Sequence, residues 1–209
     1  MGPQNETEIN QFLRSNGLPK LSQKNKIILN HKITQQEIEG AIKRMKQGKA
    51  PGPDGLSAKY YKVLEEYLAP VLCDVMKNIL QGGKIPDSWK EAHITLIPKA
   101  DSDKLNIKNY RLISLLNNDC KIFAEIMANR LNKYLKNSIH TDQAGFLPNR
   151  QLKDNVRHII NIIKYLEKKN EIPVVLIFID AEKAFDNVSW QFLLKCMETA
   201  RIEGCQASA

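Results

Sequence analysis

The chain is poor in the features that most directly announce a chemistry. It has four cysteines, Cys73, Cys120, Cys196 and Cys205, and no Cys-x-x-Cys pair among them. No histidine stands at zinc-ligand spacing from any of them, so a zinc framework or a disulfide scaffold is excluded. Reduced thiols in an intracellular protein, cytoplasmic and nuclear, are the expectation, with no disulfide partner. No apolar run exceeds Val174–Ile179, which is far too short to cross a bilayer, and residues 1–20 carry no apolar signal core. Glu6 occupies the place where an N-myristoylation motif needs Ser or Thr. No membrane partner is therefore expected. His31, His93, His140 and His158 form no constellation, and neither a Ser-His-Asp order nor a Gly-rich phosphate loop occurs. Internal repeats and low-complexity tracts are missing too. Acidic residues are the minority, 23 against 31 Lys and Arg, for a net charge of +8. That balance suits a surface that meets polyanions.

What is present is a well-punctuated globular sequence, 43% hydrophobic and 26% charged over 209 residues. Thr34-Gln-Gln-Glu37 has the form of a capping box. Behind it Ile38, Ala41, Ile42 and Met45 share one helical face, and Gly48 ends the helix. Pro51-Gly-Pro-Asp-Gly55 is a dense turn signal. Ser57 is placed to cap a second helix running to about Leu68, and Pro70 suits the first turn of a third that ends at Gly82-Gly83. From Glu91 the period changes to two. Ala92–Ile97 and Tyr110–Leu116 read as strands around the polar stretch Lys99–Lys108, which predicts a long hairpin. Two amphipathic helices follow, one through Ile122, Ile126 and Leu131, the other through Val156, Ile160 and Ile163. The loop His140–Arg150 joins them. Pro173 then opens Val174–Ile179, six apolar residues that read as a strand buried on both faces. Ser189 is placed to cap a last helix through Trp190, Leu193 and Met197. Helices, hairpin, helices, buried strand, helix make an α+β order rather than a doubly wound sheet.

Asp180 ends the apolar run. A carboxylate at the tip of a rigid buried strand is suited to holding Mg²⁺, a hard ion that wants fixed oxygen ligands. A turn or helix-capping aspartate has the same local pattern. Asp186, six residues on, fits a turn or cap.

The tract Phe178-Ile-Asp180-Ala-Glu-Lys-Ala-Phe185-Asp186 resembles the first palm motif of LINE-type, non-LTR retrotransposon reverse transcriptases. Four further blocks stand in the same family's order. Ala50-Pro-Gly-Pro-Asp-Gly55 resembles the opening of the fingers. Trp89–Lys99 resembles the first fingers strand and Asn109–Asn117 the second. Asp142-Gln143-Ala-Gly145-Phe146-Leu-Pro-Asn-Arg150 resembles the loop before the palm strand.

The resemblance implies the fingers and an incomplete palm of a right-hand polymerase, with a helical lead-in over 1–48, fingers over 49–170, a partial palm over 171–200 and an unrelated tail over 201–209. The implied activity is RNA-directed DNA synthesis on an RNA template and a DNA primer, from deoxynucleoside triphosphates. By the same resemblance Asp180 ligates two Mg²⁺ ions, one activating the primer 3′-hydroxyl and one holding the triphosphate. Arg111 matches the fingers arginine on the triphosphate, where a guanidinium fork suits phosphate oxygens; Lys99 is the second candidate. Both also fit a solvated face. Phe185 matches the steric gate under the incoming sugar, and also fits a core aromatic. Gln143, Gly145, Phe146 and Arg150 match the loop near template and nucleotide.

Four departures stand against the pattern. Leu112 replaces the proline after the fingers arginine. Lys99-Ala100-Asp101 lacks Pro-Gly after the first fingers strand. No Asp-Asp pair occurs, so the second palm motif, an aromatic-Ala-Asp-Asp hairpin, is absent, and no thumb segment is expected. The likeness fades after Met197, as at a frame change or splice. A two-metal site needs several oxygens around ions about 3.5–4 Å apart. The chain by itself is therefore expected to be inactive and poorly soluble. The alternative function is a catalytically inactive retrotransposon remnant, or a piece that binds nucleic acid through its basic face.

Overall fold

The computed structural model describes residues 5–169, 175–181 and 183–202. Among them lie helices α1 (Glu6–Ser15), α2 (Gln23–Leu29), α3 (Gln35–Arg44), α4 (Ala58–Val63), α5 (Glu65–Leu80), α6 (Asn118–Ser138), α7 (Leu152–Lys169) and α8 (Trp190–Thr199), with strands β1 (His93–Pro98) and β2 (Tyr110–Leu115). The α+β class expected from the sequence holds. The chain divides into two compact units, one from Asn30 to Arg130, the other from Met1–Leu29 with Leu131–Glu203.

In the 30–130 unit the capping box forms as the sequence predicts. Thr34 Oγ1 accepts the Glu37 N–H at 3.3 Å, and Glu37 Oε2 accepts the Thr34 N–H at 3.0 Å. Such a cap contributes about 1 kcal/mol. It aims Ile38, Ala41 and Ile42 of α3 into the core, where α5 adds Ala69, Leu72, Cys73 and Met76 and α6 adds Ile122 and Ile126. Each buried Ile stabilises by about 1.5–3 kcal/mol.

The second and third helices divide differently from the expectation. The break falls at Leu64, φ −103° and ψ 20°, so α4 ends at Val63 and α5 begins at Glu65. Glu65 and Glu66 then occupy the first turn of α5, where they complement its positive end. Pro70 consequently lies inside α5 rather than in its first turn. Its missing N–H leaves the Glu66 carbonyl without an intrahelical donor. Both residues are exposed, so that oxygen is open to solvent rather than stranded in the core. Ser57 holds the N-cap position of α4, but its hydroxyl makes no capping bond.

The hairpin is observed. Strands β1 and β2 pair antiparallel, with Ile97 opposite Arg111 and Pro98 opposite Tyr110. Neither face is packed: Ile94, Leu96, Leu112 and Ile113 are exposed.

The largest correction concerns the apolar run before Asp180. Its first residue, Val174, lies outside the described residues. Val175–Ile179 forms no strand and is 45–91% exposed rather than buried. A strand apolar on both faces needs neighbours on both edges. Among the described residues the only sheet is the hairpin, whose strands pair with each other. The same unit leaves Val156, Ile160 and Ile163 of α7 exposed. Elsewhere in it α1 meets α8: Phe12 and Phe192 stack tilted at 6.0 Å, and Ser189 Oγ caps α8 by accepting the Phe192 N–H at 3.2 Å, as expected.

Candidate nucleotide and nucleic-acid site

The predicted site residues fall in both units. In the 30–130 unit the hairpin presents Lys99 and Arg111. The Lys99 N–H donates to the Asn109 carbonyl at 2.7 Å, extending the ladder one step beyond Pro98–Tyr110. Side chains alternate along a strand, so Lys99, Ile97 and Arg111 emerge on one face. Lys99 and Arg111 are diagonal neighbours there, a spacing of about 7–8 Å between backbones. Both side chains are exposed. A pair of cations so placed can take two oxygens of one polyphosphate.

The base of this hairpin is held by two residues to which sequence reasoning gave no role. Asn117 and Asn118 are buried, at 2% and 5% exposure. Asn117 Oδ1 accepts the Asp54 N–H at 3.2 Å while its Nδ2 donates to the Ser88 carbonyl at 3.1 Å. Asn118 Nδ2 donates to the Leu56 carbonyl at 2.6 Å. The Gly-Pro-Asp-Gly turn is thereby stapled to the end of β2. A Cβ on Gly52 would lie 2.3 Å from Asn117 Oδ1, which explains the glycine. The only advance signal was an Asn-Asn pair directly after a strand.

The other unit holds the 140–150 loop and the Asp180 tract. Arg150 shapes the loop: Nη1 donates to the carbonyls of His140 and Gln143, the latter at 2.9 Å, and Nη2 donates to the Ile139 carbonyl at 3.2 Å. Phe146 and Asn149 adopt φ of +62° and +64°. Such backbone is unfavourable for a bulky side chain and persists where the surroundings impose it. It holds the Phe146 ring, 85% exposed, edge-on to Phe185 with centroids 5.5 Å apart. The structure thus brings the loop and the palm-like tract together at these two rings. A Cβ on Gly145 would meet only Gln143 Nε2, at 3.6 Å, so the fold itself does not require that glycine. Asp180 is exposed at the end of the unpaired run. Asp186 sits in a turn across which the Asn187 N–H donates to the Lys183 carbonyl at 3.0 Å. Among the described residues no three His, Cys, Asp or Glu side chains converge as a metal site would require.

A family model for reverse transcriptase (RNA-dependent DNA polymerase) matches residues 97–207, more than half of the chain. The chain belongs to the reverse transcriptase family. Its relatives place it among LINE-type, non-LTR retrotransposon sequences. It is 34% identical over 182 residues to the transposon TX1 149 kDa protein of Xenopus laevis, covering 87% of this chain and 14% of that protein. It is 28% identical over 158 residues to the RNA-directed DNA polymerase from mobile element jockey of Drosophila melanogaster, covering 75% and 17%. A probable RNA-directed DNA polymerase from transposon BS of the same organism is 30% identical over 159 residues, with the same coverage. The chain therefore spans about one-sixth of the length of these relatives. The reverse-transcriptase match starts at the end of β1, takes in both the 140–150 loop and the Asp180 tract, and runs to residue 207. No described helix is long and apolar enough to cross a membrane.

Proposed function

We propose that this chain supplies the fingers and the beginning of the palm to an enzyme that copies an RNA template into DNA from deoxynucleoside triphosphates. Residues 1–48 form the lead-in, 49–170 the fingers and 171–200 the first part of the palm. One observation carries the reading: the Asp180–Phe185–Asp186 tract and the Arg111 strand of the hairpin fall inside one continuous reverse-transcriptase match. In this reading Lys99 and Arg111 grip the triphosphate from one hairpin face. Phe185, braced by Phe146, lies under the sugar and rejects a 2′-hydroxyl. Gln143 and Gly145 border the template, and Gly145 leaves free the space a side chain would fill. Arg150 holds this loop in shape, and a phosphate contact would replace one of its carbonyl bonds.

Asp180 offers one hard oxygen donor toward Mg²⁺. The described residues do not complete a donor set, because two closely spaced dications need several carboxylate oxygens. This chain's part is to present that carboxylate and to hold the nucleotide. The incomplete donor set and the unpaired Val175–Ile179 run favour a second reading for the chain by itself, a catalytically inactive piece that binds nucleic acid.

The test is reconstitution. The chain is joined to a downstream reverse-transcriptase segment carrying the aromatic-Ala-Asp-Asp hairpin, and extension of a labelled primer on RNA is followed. Template-dependent deoxynucleotide incorporation by the joined protein, and none by either part, is expected. Incorporation by the 209-residue chain alone would contradict the division of labour. A well-folded joined protein without activity would contradict the enzymatic reading.

A further inference from the structure

We propose a binding site for the sugar–phosphate backbone of a single nucleic-acid strand in the cleft between the end of α3, the 45–49 turn and the first turns of α6. The inference deepens the reverse-transcriptase reading and rests on it for the class of ligand. The cleft has a volume of about 400 Å³, the scale of a nucleotide-sized site. Its floor is apolar, formed by Ala41, Ala58 and Ile122, all buried. Its rim carries Arg44, Lys46, Lys49 and Lys121.

Three of the four cations on this rim stand outside the ion pairs found among the described residues of the unit. Lys43 pairs with Glu65 at 3.1 Å, Lys77 with Asp74 at 3.8 Å, and Lys84 and Lys90 both reach Asp87, at 2.9 and 3.2 Å. The single rim acid, Glu125, takes the Arg44 Nε–H at 3.1 Å and an Asn129 amide N–H at 3.0 Å. Lys46, Lys49 and Lys121 stand in no ion pair among the described residues. Like charges gathered around one concavity repel, and an anion in the concavity relieves the repulsion. Ammonium groups suit phosphate as point charges, without demanding one geometry. An apolar floor beneath them accepts the sugar between two phosphates. No aromatic side chain lines the cleft, so bases have nothing to stack on and the site does not select sequence.

The test uses the full chain and fluorescence anisotropy with labelled single-stranded RNA and DNA of mixed sequence, across a KCl series. The variant K46A/K49A/K121A is compared with K77A/K84A/K90A, which removes the same formal charge from lysines that are already paired. Both variants are checked for unchanged circular dichroism. Three phosphate contacts on a single strand correspond to a log–log salt slope of about 2. The cleft variant is expected to lose about that slope and at least tenfold affinity at low salt, for RNA and DNA alike. The control is expected to stay within about twofold. Equal losses in both variants, or no loss in the cleft variant, would overturn the site. So would an equal loss of heparin binding by the cleft variant, which would mark a general cation patch. The assay needs no polymerisation. A failed reconstitution therefore leaves the cleft standing, and a failed cleft leaves the polymerase reading standing.

Discussion

Arg130 offers the sharpest perturbation of the fold that carries the hairpin. Its side chain is 6% exposed and Glu37's is 32% exposed. The guanidinium meets the carboxylate with both arms, Nε to Oε1 and Nη2 to Oε2, each at 2.7 Å. It also donates to the carbonyl of His31 and, at 3.2 Å, to that of Lys32. One residue of α6 thus anchors both the capping box of α3 and the chain entering it. Arg130→Met keeps much of the apolar stem but strands a carboxylate and two carbonyls. Breaking a fully buried pair in this way costs about 3–5 kcal/mol; with Glu37 a third exposed, solvent screening holds the cost here to the lower end, about 3 kcal/mol, against a whole-domain stability of about 5–15 kcal/mol. Urea unfolding followed by Trp89 fluorescence should show the midpoint falling by a third or more at constant slope. A loss under about 1 kcal/mol would refute the argument. The pH dependence carries a second signature. Burial raises the Glu37 pKa, but the hydrogen bond from Arg130, the Thr34 N–H and the Arg130 charge outweigh it and set it below the ordinary 4.5. A depressed carboxyl stabilises the fold above its unfolded value, and that contribution is lost as pH falls through the folded value. The wild-type chain should therefore lose stability below about pH 4.5. Arg130→Met should lose less over the same range, having already lost the pair.

Three further outcomes follow from the packing. Gly52→Ala places a methyl 2.5 Å from the backbone of Leu116 and Asn117 and should cost about 1–3 kcal/mol, read as a lowered melting temperature; an unchanged melt would mean the turn is not stapled there. Ile177→Lys with Ile179→Lys should raise the soluble, monomeric fraction in sedimentation without lowering the melt of the 30–130 unit; a lowered melt would show that the run is packed after all. In the joined enzyme Phe185→Val should raise ribonucleotide incorporation; unchanged discrimination would remove the gate assignment.

The sequence made some of this legible, and the reasons are physical. The capping box, the α3 face and both hairpin strands are local events, set by a period or a cap within a few residues, and they stand where the pattern puts them. The α4–α5 break was misplaced because Pro70 orphans only the carbonyl of exposed Glu66, so α5 carries it in its second turn instead of starting at it. Asn117 and Asn118 were opaque because they satisfy groups some 29 to 63 residues away. The Val174–Ile179 run misled for the opposite reason. Its composition says what it would need around it, and among the described residues Val175–Ile179 meets no such neighbours. At the site, the resemblance pointed to template and nucleotide for Arg150, while the coordinates give its guanidinium to the carbonyls of Ile139, His140 and Gln143. What pattern reading could not foresee was the contact of Phe146 with Phe185, which depends on a positive φ.

Asp180 and Asp186 are six residues apart, both acidic and both exposed, yet only the first is assigned to the reaction. Single-turnover nucleotide incorporation by the joined enzyme separates them. Asp180→Asn should slow the step about a thousandfold, the scale of losing a group that stabilises transition-state charge, with Asp186→Asn within about tenfold of wild type. Comparable rates for Asp180→Asn and wild type, or the reverse order of the two variants, would contradict the account.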